Sequence, residues 1–128
     1  MVIKNFLIIS CIGDNDKLGL RINKDFFVHN FCKKKKDNYM LVSEISSFLK
    51  KHKVDLNNDF SLILNQGPGS FSRIRASLAI AKGMAISTKA KIFGYKNKDL
   101  YEFNLKNIKE LINKRLVEKN LIKAIYLS

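Results

Sequence analysis

Proline occurs once in the 128 residues and glycine six times, which excludes collagen-like, proline-rich and glycine-linker chains. Two cysteines, Cys11 and Cys32, are too few for a disulfide framework, and both are expected as free thiols. Long apolar runs are also lacking. Phe6-Leu7-Ile8-Ile9 is far too short to span a bilayer, so no membrane segment is expected. The same stretch has no small-residue cleavage site, so it does not read as a signal peptide, and the expected compartment is the cytoplasm. Histidine is present only as His29 and His52. With two cysteines they give no metal-ligand spacing; His-Glu-x-x-His is absent, and no Ser-His-Asp set assembles with specificity. Neither a P-loop Lys-Ser/Thr nor Gly-x-Gly-x-x-Gly is present. No catalytic residue, metal site or cofactor is therefore assigned.

Acidic residues are scarce as well: 11 against 24 basic ones, a formal charge of +13. Such an excess invites a nucleic-acid reading, because Lys and Arg displace counterions from a phosphate backbone. Twenty of the 24 are Lys, however, and only Arg21, Arg73, Arg75 and Arg115 are the residue that clamps bases and phosphates. Together with abundant Asn and Ile, this is the surface an AT-rich genome imposes. A solvated basic surface is preferred, with a free-standing nucleic-acid-binding module as an alternative. A composition of 46% hydrophobic and 27% charged residues is that of a folded globular chain, and the length suits one domain.

Val2 to Ile9 reads as a buried strand. The turn cluster Gly13-Asp14-Asn15-Asp16 leads to short strands at Leu18–Ile22 and Phe26–Phe31. Connections this short make an antiparallel meander. Asp14, Asp16, Asp25 and Asp37 fall in turns, where Asp commonly caps. After the solvated run Lys33–Lys36, the period changes: Leu41, Ile45, Phe48 and Leu49 share a helical face ending in Lys50, Lys51 and Lys53. Phe60–Leu64 reads as a second buried strand, parallel to the first across that helix. A long helical pattern then runs to about Thr88, Lys91–Tyr95 is a short strand, and a charged helix is expected from Leu105 to about Lys119, followed by an apolar strand or tail at Leu121–Leu127. The order β-β-β-α-β-α-β is that of an α/β ribonuclease-H-like, actin-like ATPase (ASKHA) domain, a mixed sheet of meander and crossovers with a carboxy-terminal helix.

Asn65 to Arg75 is the distinctive segment. It reads as a strand end, a glycine turn and a helix start. Gly67 and Gly69 admit positive φ, Pro68 stiffens the turn, and Ser70 or Ser72 caps the helix. The free amides of that helix start, with Arg73 and Arg75, offer a place for an anion; a tight turn and nothing more is the plainer reading. Within the helix Ser72, Ala76, Ala79, Gly83 and Ser87 line up as a stripe of small residues beside the apolar Ile74, Leu78, Ala81 and Ala85. Gly inside a helix costs roughly 1 kcal/mol against Ala, so something should approach Gly83 closely. Either the protein's own sheet or a partner helix would serve.

This segment resembles the TsaB (YeaZ) family, a partner subunit in the synthesis of threonylcarbamoyladenosine (t6A) on tRNA. The family motif is Gly-Pro-Gly-Ser-Phe-Thr-Gly-Leu-Arg-Ile-Gly, followed by a helix with Ala-Lys-Gly. Gly67, Pro68, Gly69, Ser70, Phe71 and Arg75 match it, as does Ala81-Lys82-Gly83. Ser72 replaces Thr and Ile74 replaces Leu, while Arg73 and Ser77 stand in place of glycines. The family's first strand ends Asp-Thr-Ser, and here Ser10, Cys11 and Ile12 correspond, which counts against the actin-like ATPase or peptidase alternative. The resemblance implies a TsaB-like amino-terminal domain at 1–98. It also implies a helix and short tail at 99–128 that pack on the same domain, the usual second domain being missing, with Ile125-Tyr126-Leu127 like the family's closing Tyr-Leu-Arg. Its function would be that of a non-catalytic scaffold or activator. It would pair with a TsaD-like subunit that transfers threonylcarbamoyl to adenosine of tRNAs reading ANN codons, with a TsaE-like ATPase docking on the pair and tRNA reached indirectly. Pairing would use the helices near 38–52 and 73–88, with Ser72, Arg75, Ala76, Ala79, Lys82 and Gly83 at the interface; a homodimer stays open.

Overall fold

The computed structural model describes residues 3–31, 38–114 and 117. Its order is β1 (Asn5–Ser10), β2 (Lys17–Ile22), β3 (Asp25–Asn30), α1 (Tyr39–Lys51), β4 (Phe60–Asn65), α2 (Phe71–Thr88), β5 (Lys91–Tyr95) and α3 (Leu105–Asn113), with one 3-10 turn at Asn97–Asp99. This is an α/β ASKHA-like arrangement: one mixed five-stranded sheet in the order β3-β2-β1-β4-β5, flanked by three helices. β1 pairs antiparallel with β2, and β2 with β3, because turns of a few residues reverse the chain. β4 lies parallel to β1 and β5 parallel to β4, since a helix intervenes each time.

Alternation along the strands sorts the core into two layers. Leu7, Ile9, Leu18, Leu20, Leu62 and Leu64 point to one face, where Leu41, Ile45, Phe48 and Leu49 of α1 and Ala81 of α2 cover them. Phe6, Ile8, Ile63, Phe93 and Tyr95 point to the other, under Ile108 and Leu111 of α3 and Val117. The helical face expected for α1 is thus the one it buries. The continuous apolar β4 is buried along its whole length, as a central strand covered on both sides must be.

Two helix ends follow from local chemistry. α1 stops where Lys53 turns to positive φ and Val54 N–H donates to the Leu49 carbonyl, with Lys50 and Lys51 favourably placed at the negative end. α3 is shorter than its periodicity suggests. It ends at Asn113, and Lys114 N–H closes it by donating to the Glu110 and Ile112 carbonyls; Val117 beyond is irregular chain packed on the core. Cys11 is buried and free, and burial pushes its thiol well above the ordinary range. Cys32, the run Lys33–Lys36 and the expected strand at 121–127 lie outside the described residues.

Candidate functional site

The glycine turn after β4 lies against the loop that follows β1. Ser70 N–H donates to the Ile12 carbonyl at 2.7 Å, drawing the two chain segments together. Gly69 is required by this approach and not by a positive φ. A Cβ there would stand 2.6 Å from the Ile12 carbonyl oxygen, closer than atoms approach. Gly67 does take positive φ, +96°, and its N–H donates to Asn65 Oδ1 at 2.9 Å. The Gly67–Pro68 peptide is cis. Ser70 is the cap of α2, accepting from Arg73 N–H at 3.4 Å. Ser72 Oγ instead accepts from Asn38 Nδ2 at 2.8 Å, which ties α2 to the start of α1.

Arg73 is not available to hold an anion at this helix start, which counts against the anion alternative and agrees with the plainer reading of a tight turn. Its Nε donates to Asp16 Oδ2 at 2.8 Å, and both side chains are nearly sealed from solvent. Its guanidinium also stands 5.1 Å over the Phe31 ring. The other Asp16 oxygen, Oδ1, accepts from Gly13 N–H at 2.8 Å, so Asp16 is a structural partner as well as a turn residue. Sequence reasoning missed this pair; its one signal was a charged residue standing where the resembled motif has glycine.

Beyond the turn, the carboxyl ends of β1, β4 and β5 converge, where open α/β sheets place ligands. Asn65 Nδ2 donates to Ser10 Oγ at 3.1 Å and to Asn97 Oδ1 at 3.0 Å. Tyr95, 1% exposed, brings its phenol beside Ser10 and Asn65. Burial raises its pKa, with those two neighbours opposing more weakly, and the hydroxyl makes no well-aligned bond among the described residues. A cavity of about 580 Å³ opens here, with Asp14, Lys17 and Glu102 among its lining residues. The strand ends themselves supply a neutral hydroxyl–amide network. It can orient a polar group, but it offers no carboxylate as base or metal ligand at the end of β1. Among the described residues, no three His, Cys, Asp or Glu side chains gather to hold a metal. His29 Nε2 instead meets Glu44 Oε2 at 3.0 Å, and the His52 ring stacks on Phe27 at 4.0 Å.

The outer side of α2 is the second feature. Ile74, Ser77 and Ala81 are turned inward. Ser72, Arg75, Ala79, Lys82 and Gly83 are exposed and Ala76 is half-buried. Among the described residues, nothing outside its own helix backbone and chain neighbours lies within 4 Å of a Cβ built on Gly83, so the protein's own sheet does not explain this glycine. Two large apolar side chains sit on the same outer side: Phe71 is 54% and Ile86 83% exposed, with the Arg75 guanidinium 5.2 Å over the Phe71 ring. On α1, Val42 is also exposed. No helix of the described residues is long and apolar enough to cross a membrane.

No family model matches the chain. Over 67 residues, 52% of its length, it is 34% identical to the tRNA threonylcarbamoyladenosine biosynthesis protein TsaB of Buchnera aphidicola subsp. Baizongia pistaciae, of which those residues are 30%. Its fold matches YeaZ from Pseudomonas aeruginosa with a TM-score of 0.68 at 12% identity, covering 88% of this chain and 50% of that one. A second structure, a protein with similarity to peptidase YeaZ from Pseudomonas aeruginosa, matches with a TM-score of 0.65 at 16% identity, covering 76% of this chain and 44% of that one. The chain therefore spans about half the length of these structures and under a third of the curated relative.

Proposed function

We propose that this chain, which over the length it shares with its relatives belongs to the TsaB (YeaZ) family, is a non-catalytic subunit in the making of threonylcarbamoyladenosine on tRNA. In this reading it works in the cytoplasm and pairs with a TsaD-like threonylcarbamoyltransferase. A TsaE-like ATPase docks on the pair, and tRNA is reached through the complex.

The outer side of α2 is the observation that carries the reading. Gly83 costs helix stability, and among the described residues a Cβ at this position would meet nothing outside its own helix backbone and chain neighbours. The small residues Ser72, Ala76, Ala79 and Gly83 let another helix backbone come close. Phe71 and Ile86, exposed at either end of this surface, offer the apolar area that an interface buries, and Arg75 and Lys82 frame it. The side-chain bond from Asn38 to Ser72 adds the start of α1 to the same surface. The non-catalytic part of the reading is supported by Ser10, whose hydroxyl accepts from Asn65 at 3.1 Å where the family motif has an acid.

Co-expression with a TsaD-like protein tests the pairing. The two should co-elute through affinity and size-exclusion steps, and an Ile86→Glu variant should elute alone. Absence of any complex, or ATP hydrolysis by the isolated chain at rates typical of an enzyme, would refute the reading.

A further inference from the structure

The side of the sheet away from α1 and α2 carries a different chemistry. Beneath α3, at the amino end of β1, lies a cavity of about 400 Å³. Lys4 comes from just before β1, Arg21 from β2 and Lys109 from α3, and all three line it. The register explains how they meet: Arg21 stands opposite Phe6 in the β1–β2 pair, and Phe6 packs in the same layer as Ile108 of α3. Among the described residues, no acidic side chain lines the cavity. Asp25 and Glu110, close in the chain to its lining residues, stay outside it. None of the three cations makes an ion pair among the described residues.

Two further details orient the site. Arg21 Nη1 donates to the Lys24 carbonyl at 2.9 Å, which anchors the guanidinium while the rest of its fork makes no bond among the described residues. Asn5 accepts from Asn23 N–H through Oδ1 at 2.9 Å, and its Nδ2 makes no bond among the described residues. Among the described residues, the concavity thus presents donors and positive charge with no acid to balance them. Like charges gathered around one cleft repel, and a low-dielectric wall focuses their field on whatever anion enters. The floor is apolar but closed, with Phe6 only 2% exposed, so it provides no ring face on which a base could stack. The arrangement reads charge and not base identity. Lys24 and Lys114, each next in the chain to a lining residue, Asn23 and Asn113, are exposed and add positive charge near the pocket.

We propose that this pocket is a contact site for the phosphodiester backbone of a nucleic acid. It lies on the opposite side of the sheet from α2, so it neither depends on nor competes with the pairing proposed above.

Fluorescence anisotropy with a short labelled RNA strand, and with DNA of the same sequence, tests it across a salt series. For single strands each phosphate contact contributes about 0.7 to the slope of log K against log salt. The combined variant Lys4→Gln, Arg21→Gln, Lys109→Gln should therefore lower the slope by about 2 and weaken binding. A control with the same net charge, Lys50→Gln, Lys51→Gln, Lys98→Gln, should keep the parent slope. Should the Arg21 change disturb folding, judged by circular dichroism, the pair Lys4→Gln and Lys109→Gln carries the test with an expected drop of about 1.4. Equal binding of both strands supports a generic backbone contact, and tighter RNA binding assigns the contact to RNA. Equal loss in the variant and the control would overturn the proposal, as would no binding by the parent protein. So would displacement of the RNA by polyglutamate at lower concentration than by unlabelled RNA, which would assign the pocket to an acidic protein. Pull-down with the TsaD-like protein should be unchanged in the variant, so the two proposals fail separately.

Discussion

Gly83→Leu separates a partner surface from a packing surface. Gly83 lies well inside α2, where Gly is about 0.8–1 kcal/mol less favourable than Ala and Leu is nearly as good as Ala. Among the described residues, nothing outside the helix's own backbone and the glycine's chain neighbours lies within 4 Å of a Cβ at this position, so the added side chain meets no obstacle there. The isolated variant should therefore gain roughly 0.5–1 kcal/mol. For a domain of this size that raises the melting temperature by roughly 2–5 °C. In the complex the same side chain enters a surface that relies on close backbone approach. Overpacking typically costs ~1–3 kcal/mol, which weakens pairing by roughly fivefold to 150-fold. Gly83→Ala should give most of the stability with a smaller loss of pairing. The assay is a thermal melt of each isolated variant beside a titration with the TsaD-like partner. A melting temperature lowered by several degrees would show that Gly83 packs within this chain. Undiminished pairing by Gly83→Leu would remove this position from the interface.

The remaining predictions concern the turn and its neighbours. Asp16→Ala and Arg73→Ala should each destabilise by about 3–5 kcal/mol, since each leaves an uncompensated buried charge; the double variant should lose less than their sum in denaturant titrations, and strict additivity would mean that the pair is not coupled. Gly69→Ala should cost about 1–3 kcal/mol, because its Cβ would press on the Ile12 carbonyl 2.6 Å away, and an unchanged urea midpoint would contradict that close approach. Cys11, buried and with its thiol pKa raised first of all by desolvation, should stay protonated and resist alkylation at mildly alkaline pH until the chain unfolds; measured by mass on a Cys32→Ser background, rapid labelling of the native protein would refute this.

Much of the fold was legible because its signals are local. The leucines and isoleucines of β1 and β4 and the Leu41, Ile45, Phe48, Leu49 face of α1 declare themselves within a few residues, by period and by turn punctuation. Short connections forced the meander and intervening helices forced the parallel pairs, so strand order followed from element order. The glycine turn was legible for the same reason, and with it the family resemblance. The end of α3 was not, because its apolar spacing continues past Asn113 while the chain leaves the helix at Lys114.

The candidate site was legible only in part. The sequence by itself set the strand-turn-helix at 65–75, the small-residue stripe of α2 and the excess of positive charge. Which side of α2 faces outward was decided by how the helix docks on the sheet, since small and apolar residues lie on neighbouring faces and either could be buried. Tertiary structure also decided that Asp16 and Arg73, 57 residues apart, would neutralise one another, while Lys4, Arg21 and Lys109 would line one cavity with no acid among its described lining residues. The reason is the same in both cases. Side-chain period is a property of a few consecutive residues, whereas burial and charge balance depend on which distant segments the packed sheet brings within a few ångströms.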